Sequence, residues 1–398
     1  MQQGLTEKPA AFTNPDRVPA PMQRFLSLDV VRGITIAFMI MVNNNGGPGS
    51  WHFMNHANWN GLTPTDLVFP TFVFVVGVSV VFAFESRLAR GATRAHLAWH
   101  TLQRAVILIV FGIVVNSFPF FALPHMRFYG VLQRIAVCYL VVGLFYLWDQ
   151  RAWTKVAALV VALVGYWALV RWAPIPGVGV PGRDVPFMDM SQNLVSWIDR
   201  HVFPYHLYLS PPDHNVRDPE GLLSDLPAIG TALMGILTGL WLRTNKSIST
   251  KTIGLAAASA ASLVAGYLWS RSFPLNKNMW TSSFVLVAAG YSLALLTLGF
   301  WAIEQKGWRK GWTWPWLVFG SNAIAAYMFS ELMPGVFYNI SVPSGTGGRH
   351  DLISWVFVHT FAHIPDRGWA AFAYSCSFTA LCFIPVWILY RKKIFLKV

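Results

Sequence analysis

The chain is 398 residues long, 55% hydrophobic, 15% aromatic and only 12% charged, with a mean hydropathy of +0.46. A soluble domain carries about 25% charged residues, so a water-soluble enzyme is excluded and the length divides into membrane spans of about 20 residues. The 30 Lys plus Arg against 17 Asp plus Glu leave a net charge of +13. No basic run is interleaved with stacking aromatics, which excludes nucleic acid as a partner and leaves the cations to orient a protein that meets anionic lipid.

Residues 1–23 are Pro-rich and polar and lack the apolar core of a signal peptide, which predicts a disordered cytoplasmic tail. Apolar runs near 25–43, 64–84, 101–117, 129–148, 153–172, 225–243, 252–270, 281–303, 314–333 and 369–390 predict about ten spanning helices. Leu352 to Ile364 is too short to span and predicts an interfacial helix before the last crossing. The fold class is therefore all-α: a polytopic membrane helix bundle with a first five-helix part over 24–172, a loop over 173–224 and a second five-helix part over 225–398. Basic residues gather in alternate loops: Arg87, Arg90 and Arg94; Arg151 and Lys155; Arg243, Lys246 and Lys251; Lys306, Arg309 and Lys310; and Arg391 to Lys393. By the positive-inside rule both termini face the cytoplasm, the number of spans is even, and 173–224 lies outside. Cys138, Cys376 and Cys382 sit within apolar runs and offer neither a disulfide frame nor a metal site.

Ionisable and amide groups inside spans are expensive and face the bundle interior, as ligands or as members of structural hydrogen-bond networks. Asp29 and Arg32 share a helical face, either as a local ion pair or as a ligand site. Gln133, Arg134, Asn322 and Glu331 lie deeper. Asp66, in Thr63-Pro64-Thr65-Asp66, is placed to cap the second span. Between Asn43 and Asp66 the chain has no charged side chain but is dense in amide, indole and imidazole groups, with His56 at the centre. That composition predicts a loop folded into the mouth of the bundle, where His56 is either a structural or a catalytic imidazole.

Ser27-Leu28-Asp29-Val30-Val31-Arg32-Gly33, Val42-Asn43, His56-Ala57-Asn58-Trp59-Asn60-Gly61-Leu62-Thr63, Asp66-Leu67-Val68-Phe69-Pro70, Gly130 to Arg134, Asp218-Pro219-Glu220-Gly221, Asn276 to Trp280 and Leu389 to Phe395 occur in that order. Together they resemble the heparan-α-glucosaminide N-acetyltransferase family of transmembrane acyltransferases over essentially the whole chain from Arg24. The resemblance implies that acetyl-CoA from the cytoplasm donates acetyl to the amino group of a glucosamine-type sugar across the membrane, here a bacterial inner membrane. It implies that His56 is catalytic, together with an asparagine of the preceding segment. Counting back from His56 selects Asn45, whereas anchoring on Val42 selects Asn43. Acetyl-CoA acts as donor substrate, no metal is expected, and the acceptor is a small amino sugar. A homodimer is left open.

Acyl transfer to an amine needs a base, donors for the oxyanion and exclusion of water from the thioester. His56 suits the base or a nucleophile, an Asn amide suits the oxyanion donor, and Asp66 suits the group that fixes the His56 tautomer if the loop folds back. Arg32, Arg134 and Lys277 are the candidate CoA-binding cations. Trp59, Asn60, Asp218 and Glu220 are candidate acceptor-binding residues. An amino-sugar permease without acyl transfer is the competing reading. A haem or metal protein, prompted by His52 and His56 and by His359 and His363, lacks a carboxylate or thiolate to complete either set.

Overall fold

A computed structural model describes residues 25–396 except 48, 210–215 and 344–348. The expected tail over 1–23 lies outside the described residues. Among the described residues there are thirteen α-helices: α1 (Leu26–Asn43), α2 (Val68–Leu88), α3 (Arg94–Ser117), α4 (Val131–Trp148), α5 (Ala152–Trp172), α6 (Leu194–Val202), α7 (Asp225–Arg243), α8 (Ile248–Trp269), α9 (Ser282–Phe300), α10 (Trp314–Ser321), α11 (Ala323–Asn339), α12 (Leu352–Val356) and α13 (Arg367–Arg391). A 3₁₀ turn, Pro64–Leu67, leads into α2. The described strands are β1 (Ser341–Pro343) and β2 (Arg349–Asp351), paired antiparallel. The all-α membrane bundle expected from composition is the fold observed.

The helices start where side chains satisfy their first N–H groups. Thr93 accepts from His96 N at 3.2 Å, Ser247 from Thr250 N at 3.1 Å and Asp366 from Trp369 N at 2.8 Å. The Thr93 cap sets α3 seven residues earlier than its apolar run, with Arg94 to His100 forming the first turns. Inner and outer helices then differ in what they bury. Of a membrane-length window, 72% is buried in α2 with its leading turn but only 22% in α3. Outer helices show aliphatic side chains to lipid, such as Val106 and Val110 on α3 and Val160 and Val161 on α5.

Inner helices approach through glycines, as expected where lipid removes the usual hydrophobic drive for association. A Cβ on Gly77 would stand 2.0 Å from the Ala232 carbonyl oxygen, and one on Gly235 2.1 Å from that of Phe74, so α2 and α7 touch backbone to backbone. Likewise a Cβ on Gly33 would stand 1.8 Å from the Trp316 oxygen, and one on Gly320 2.2 Å from the Asp29 oxygen. Residue number falls along α1 as it rises along α10, so the two are antiparallel.

This corrects one expected span. Nine helices among the described residues are long and apolar enough to cross a membrane, and the run over 314–333 is not among them. It breaks at Asn322, whose φ of −131° and ψ of 44° lie outside the helical region. Its amide holds the chain's last described residues instead, donating to Ile394 O at 3.1 Å and accepting from Leu396 N at 2.9 Å. α10 is a short helix running back along α1. α11 runs the other way, from Asn322 to a level where Glu331 meets Asn43 at the far end of α1, and with 17 residues it is not among the nine candidate spans. The start of α1 and the 394–396 segment thus share one end of the bundle, here the basal end. The short helix expected before the last span is present as α12 and the π turn Phe357–Phe361, with no buried residue.

Arg134 ties the first half of the chain to the second. Its side chain is fully buried and donates to Asp225 Oδ1 at 2.9 Å, Gly221 O at 2.9 Å, Pro219 O at 3.2 Å and the Ser224 hydroxyl. Gly221 is required where it sits, because a Cβ there would lie 1.9 Å from Asp199 Oδ2. We predict that Arg134→Ala destabilises the detergent-solubilised protein by about 3–5 kcal/mol, since it strands the Asp225 charge. Arg134→Lys should recover little, because a point charge cannot reproduce the planar fork. Near-native thermal stability of either variant would contradict this.

Candidate active site

The loop over 44–63, at the apical end opposite the basal one, is built from its own amides. Asn45 Nδ2 donates to Asn55 Oδ1 at 2.8 Å and to Met54 O at 3.4 Å, and Asn45 Oδ1 accepts from Gly47 N at 3.1 Å. Asn55 Nδ2 returns bonds to the carbonyls of Ser50 and Trp51. Thr63 and Thr65 pin the carbonyls of Asn55 and Phe53, each at 2.7 Å. Trp51 stacks edge-on against Trp369 of α13, centroids 4.6 Å apart. An uncharged amide-rich sequence therefore makes a folded cover rather than a solvated loop.

At its centre His56 Nδ1 lies 2.7 Å from Asp66 Oδ1. Asp66 is fully buried, and its Oδ2 accepts from Ala57 N at 3.1 Å, Thr63 N at 3.0 Å and the Thr63 hydroxyl at 3.0 Å. The residue is thus both the helix cap and the imidazole's partner, the two roles its position suggested. With the backbone N–H groups of Ala57 and Thr63 donating to it, the ionised carboxylate can only accept from His56, the tautomer that puts the ring proton on Nδ1 and the lone pair on Nε2. The ring is half-buried, with 48% of the side chain exposed.

The 275–281 turn closes over this pair. Asn276 Oδ1 accepts from Met279 N at 2.8 Å, Asn276 Nδ2 donates to Asn60 Oδ1 at 3.1 Å, and Gly61 N donates to Leu275 O at 2.8 Å. The turn thereby delivers Lys277, whose Nζ lies 3.2 Å from each ring nitrogen of His56. Burial and then the Lys277 charge hold the His56 pKa below the usual imidazole value, against the pull of Asp66 and Glu220.

Beside it Arg127 holds two carboxylates. Its Nε and Nη2 reach Asp218 at 2.8 and 2.5 Å, and Nη2 also reaches Glu220 Oε2. Burial opposes the Glu220 charge, but Arg127, Arg134 and Lys277 outweigh it and keep Glu220 below the ordinary carboxyl pKa. Burial and the adjacent Glu220 push Asp218 up. Trp59 gives its indole N–H to Met188 O at 2.7 Å and carries the Arg217 guanidinium over its ring at 4.3 Å. On the other side Asn43 Nδ2 donates to Glu331 Oε1 at 3.0 Å.

The candidate cations separate. Lys277 lies on His56, and Arg134 is enclosed by the 219–225 segment. Arg32 pairs with Asp29 and lines a different feature, a cavity of about 630 Å³ that opens at the basal end. Arg87, Arg90 and Arg104 line it too, and its wall follows α2 from Arg87 to Phe72, about 22 Å of helix axis. Arg87 and Arg90 read in the sequence only as orienting charges. Arg104, a cation inside an apolar run, carried the same signal as Arg134. Arg127 gave no local signal, since only the fold brings it to Asp218 and Glu220.

Residues 24–269 match the family model "Heparan-alpha-glucosaminide N-acetyltransferase, catalytic". The chain is 29% identical to the Homo sapiens heparan-alpha-glucosaminide N-acetyltransferase, over 96% of this chain and 61% of that protein. It is 26% identical to the Mus musculus protein of the same name, over 98% of this chain and 63% of that protein. The chain thus spans about three fifths of the length of these relatives. With a matched segment that holds α1 to α8, the His56–Asp66 pair and the Arg127 cluster, the chain belongs to the heparan-alpha-glucosaminide N-acetyltransferase catalytic family.

Proposed function

We propose that this integral membrane protein is an acetyltransferase that takes acetyl from acetyl-CoA at the basal end and passes it to the amine of a glucosamine-type sugar at the apical end. The observation that carries this reading is the continuity of α2 with its leading turn: the helix lines an arginine-rich cavity from Arg87 to Phe72, and the 3₁₀ turn that runs into it holds Asp66, the partner of His56. About six residues, or 9 Å of helix, separate Phe72 from Asp66.

The two ends differ in the chemistry they offer. Arg32, Arg87, Arg90 and Arg104 supply cations for the phosphates of CoA. α11 starts in the same wall at Ala323, and its N-terminal dipole favours anions there. The apolar middle of the cavity, with Phe72, Val75, Val76 and Val80, suits a thin pantetheine arm and keeps water from the thioester. All five basic loops lie at this end, so it faces the cytoplasm.

At the apical end Nε2 of His56 takes the proton of the acceptor ammonium. The freed amine attacks the thioester carbonyl, the carbonyl oxygen becomes an oxyanion, and the C–S bond breaks as the amide forms, the second proton shed by the nitrogen passing to the departing CoA thiolate. Hydrogen-bond accounting selects the donor to that oxyanion. Both amide protons of Asn45 are committed within its loop, whereas Asn43 gives one to Glu331 and stands exposed with the second available. Asn43 is therefore the catalytic asparagine in this reading and Asn45 a loop residue. Glu220 gives Arg127 only Oε2, so its other oxygen and its negative charge are available to draw the acceptor ammonium. Asp218 spends both oxygens on Arg127 and shapes the site. Trp59 and Asn60 form the acceptor-side wall.

The test is transfer of labelled acetyl from acetyl-CoA to a panel of amino sugars by purified protein in detergent. His56→Ala should stay folded, bind acetyl-CoA and transfer at least about a hundredfold more slowly. Retained transfer would remove the catalytic assignment. A wild type that binds no CoA and carries unmodified sugar into vesicles would make the protein a permease. Asn43→Ala should lower kcat by about a hundredfold or more, the usual loss for one oxyanion donor, while Asn45→Ala should lower thermal stability more than kcat. The reverse ranking would reassign the asparagine.

A further inference from the structure

The His56 neighbourhood contains a charge that the transfer steps above do not use. The turn that carries Lys277 is fixed at its backbone. The Asn276 side chain ties the turn both to Met279 N and to Asn60. The Tyr166 hydroxyl bonds Met279 O, and the buried Trp280 next to it sits at φ 51° with its indole N–H on Thr231 at 3.1 Å.

The contact with His56 has an unusual form. Lys277 Nζ is 3.2 Å from Nδ1 and 3.2 Å from Nε2, so it lies on the plane bisecting the two nitrogens and in line with neither lone pair. Nδ1 belongs to Asp66, at 2.7 Å. Nε2 is left open. The ammonium therefore acts on the ring as a neighbouring charge and not as a hydrogen-bond partner that blocks the base.

We infer that Lys277 is a positioning residue for His56, an ammonium held across the imidazole that keeps it neutral and so ready to take a proton at Nε2. This rests on the reading of His56 as the base. The groups facing the imidazole come from three elements: Asp66 ahead of α2, Glu220 from the 173–224 connection and Lys277 from the 275–281 turn, with Arg127 and Arg134 behind Glu220. Asp66 and Glu220 favour the imidazolium and, left alone, would raise the His56 pKa. A base already protonated cannot accept the acceptor's proton. Lys277 offsets the two carboxylates while they in turn support its own charge against burial. Asp66 thus orients the ring and Lys277 prevents that orientation from turning the base into its conjugate acid.

The sign follows directly. Protonated His56 beside protonated Lys277 is a like-charge pair, so removing the lysine charge stabilises the imidazolium and moves the titration up. In full-length protein labelled with ¹⁵N-histidine, with His56 assigned by its loss in His56→Gln, Lys277→Met should raise the His56 pKa by about one unit or more. Lys277→Arg should leave it near the wild-type value, and Lys277→Gln repeats the test if the methionine variant does not fold. The acid limb of kcat/KM for acetyl transfer should move up by the same amount while the high-pH plateau is kept.

An unmoved His56 titration in Lys277→Met and Lys277→Gln would overturn the inference, as would Lys277→Arg behaving like the neutral variants. A plateau lost at every pH with an unmoved acid limb would make Lys277 a binding or structural residue, and would also overturn it. If the wild type transfers no acetyl, the functional reading fails by itself, and the titration still decides whether Lys277 governs the charge of His56.

Discussion

The 2.7 Å contact between His56 and Asp66 is the constraint on which the apical end depends. A buried carboxylate must be fully partnered, and Asp66 meets that demand with donors drawn from both ends of its loop: Ala57 and Thr63 from the backbone, His56 from the tip. One charge therefore caps the α2 lead-in, closes the loop and fixes the imidazole tautomer. Without it the uncharged 44–63 segment would have little reason to fold against the bundle.

A second constraint comes from the lipid. Because hydrocarbon cannot solvate polar groups, the bundle collects its charges into partnered sets at its two ends and through its interior. The Arg127 and Arg134 clusters organise the 218–225 segment and hold Glu220 towards His56 and Lys277. At the basal end arginines stay beside a cavity of about 630 Å³, next to the break at Asn322. Irregular backbone at membrane depth is tolerated where it lines such a space, and the α10–α11 break does so. The same asparagine ties down residues 394–396, so the wall of the cavity includes the end of the described chain.

Much of this was legible in the residues. Apolar run length gave nine of the helices, because lipid thickness imposes a length on every crossing. Asp66 was legible as a cap and as a partner for His56, since Thr63-Pro64-Thr65-Asp66 places it one turn from a loop that can fold back. The break at Asn322 was not, because an apolar run does not record where its helix reverses, and the residues that Asn322 holds lie more than seventy positions away. The same distance problem hid Arg127, which meets Asp218 only through the fold. Lys277 was singled out as a membrane-edge cation, but its contact with His56 depends on the Asn276 turn and the Asn60 bond. Asn43 and Asn45 differ in where their amide protons go, to Glu331 for Asn43 and to Met54 and Asn55 for Asn45, a difference that spacing alone does not record.

The account joins two ends of one bundle, and the measurement that tests it most directly keeps those ends apart. In sealed vesicles with the protein inserted in one orientation, labelled acetyl-CoA is supplied only on the basal side and glucosamine only on the apical side. The account predicts labelled N-acetylglucosamine on the apical side, formed at a rate that His56→Ala reduces at least about a hundredfold. Acetylation only when donor and acceptor share a side, or appearance of unmodified glucosamine across the membrane without acetylation, would contradict it.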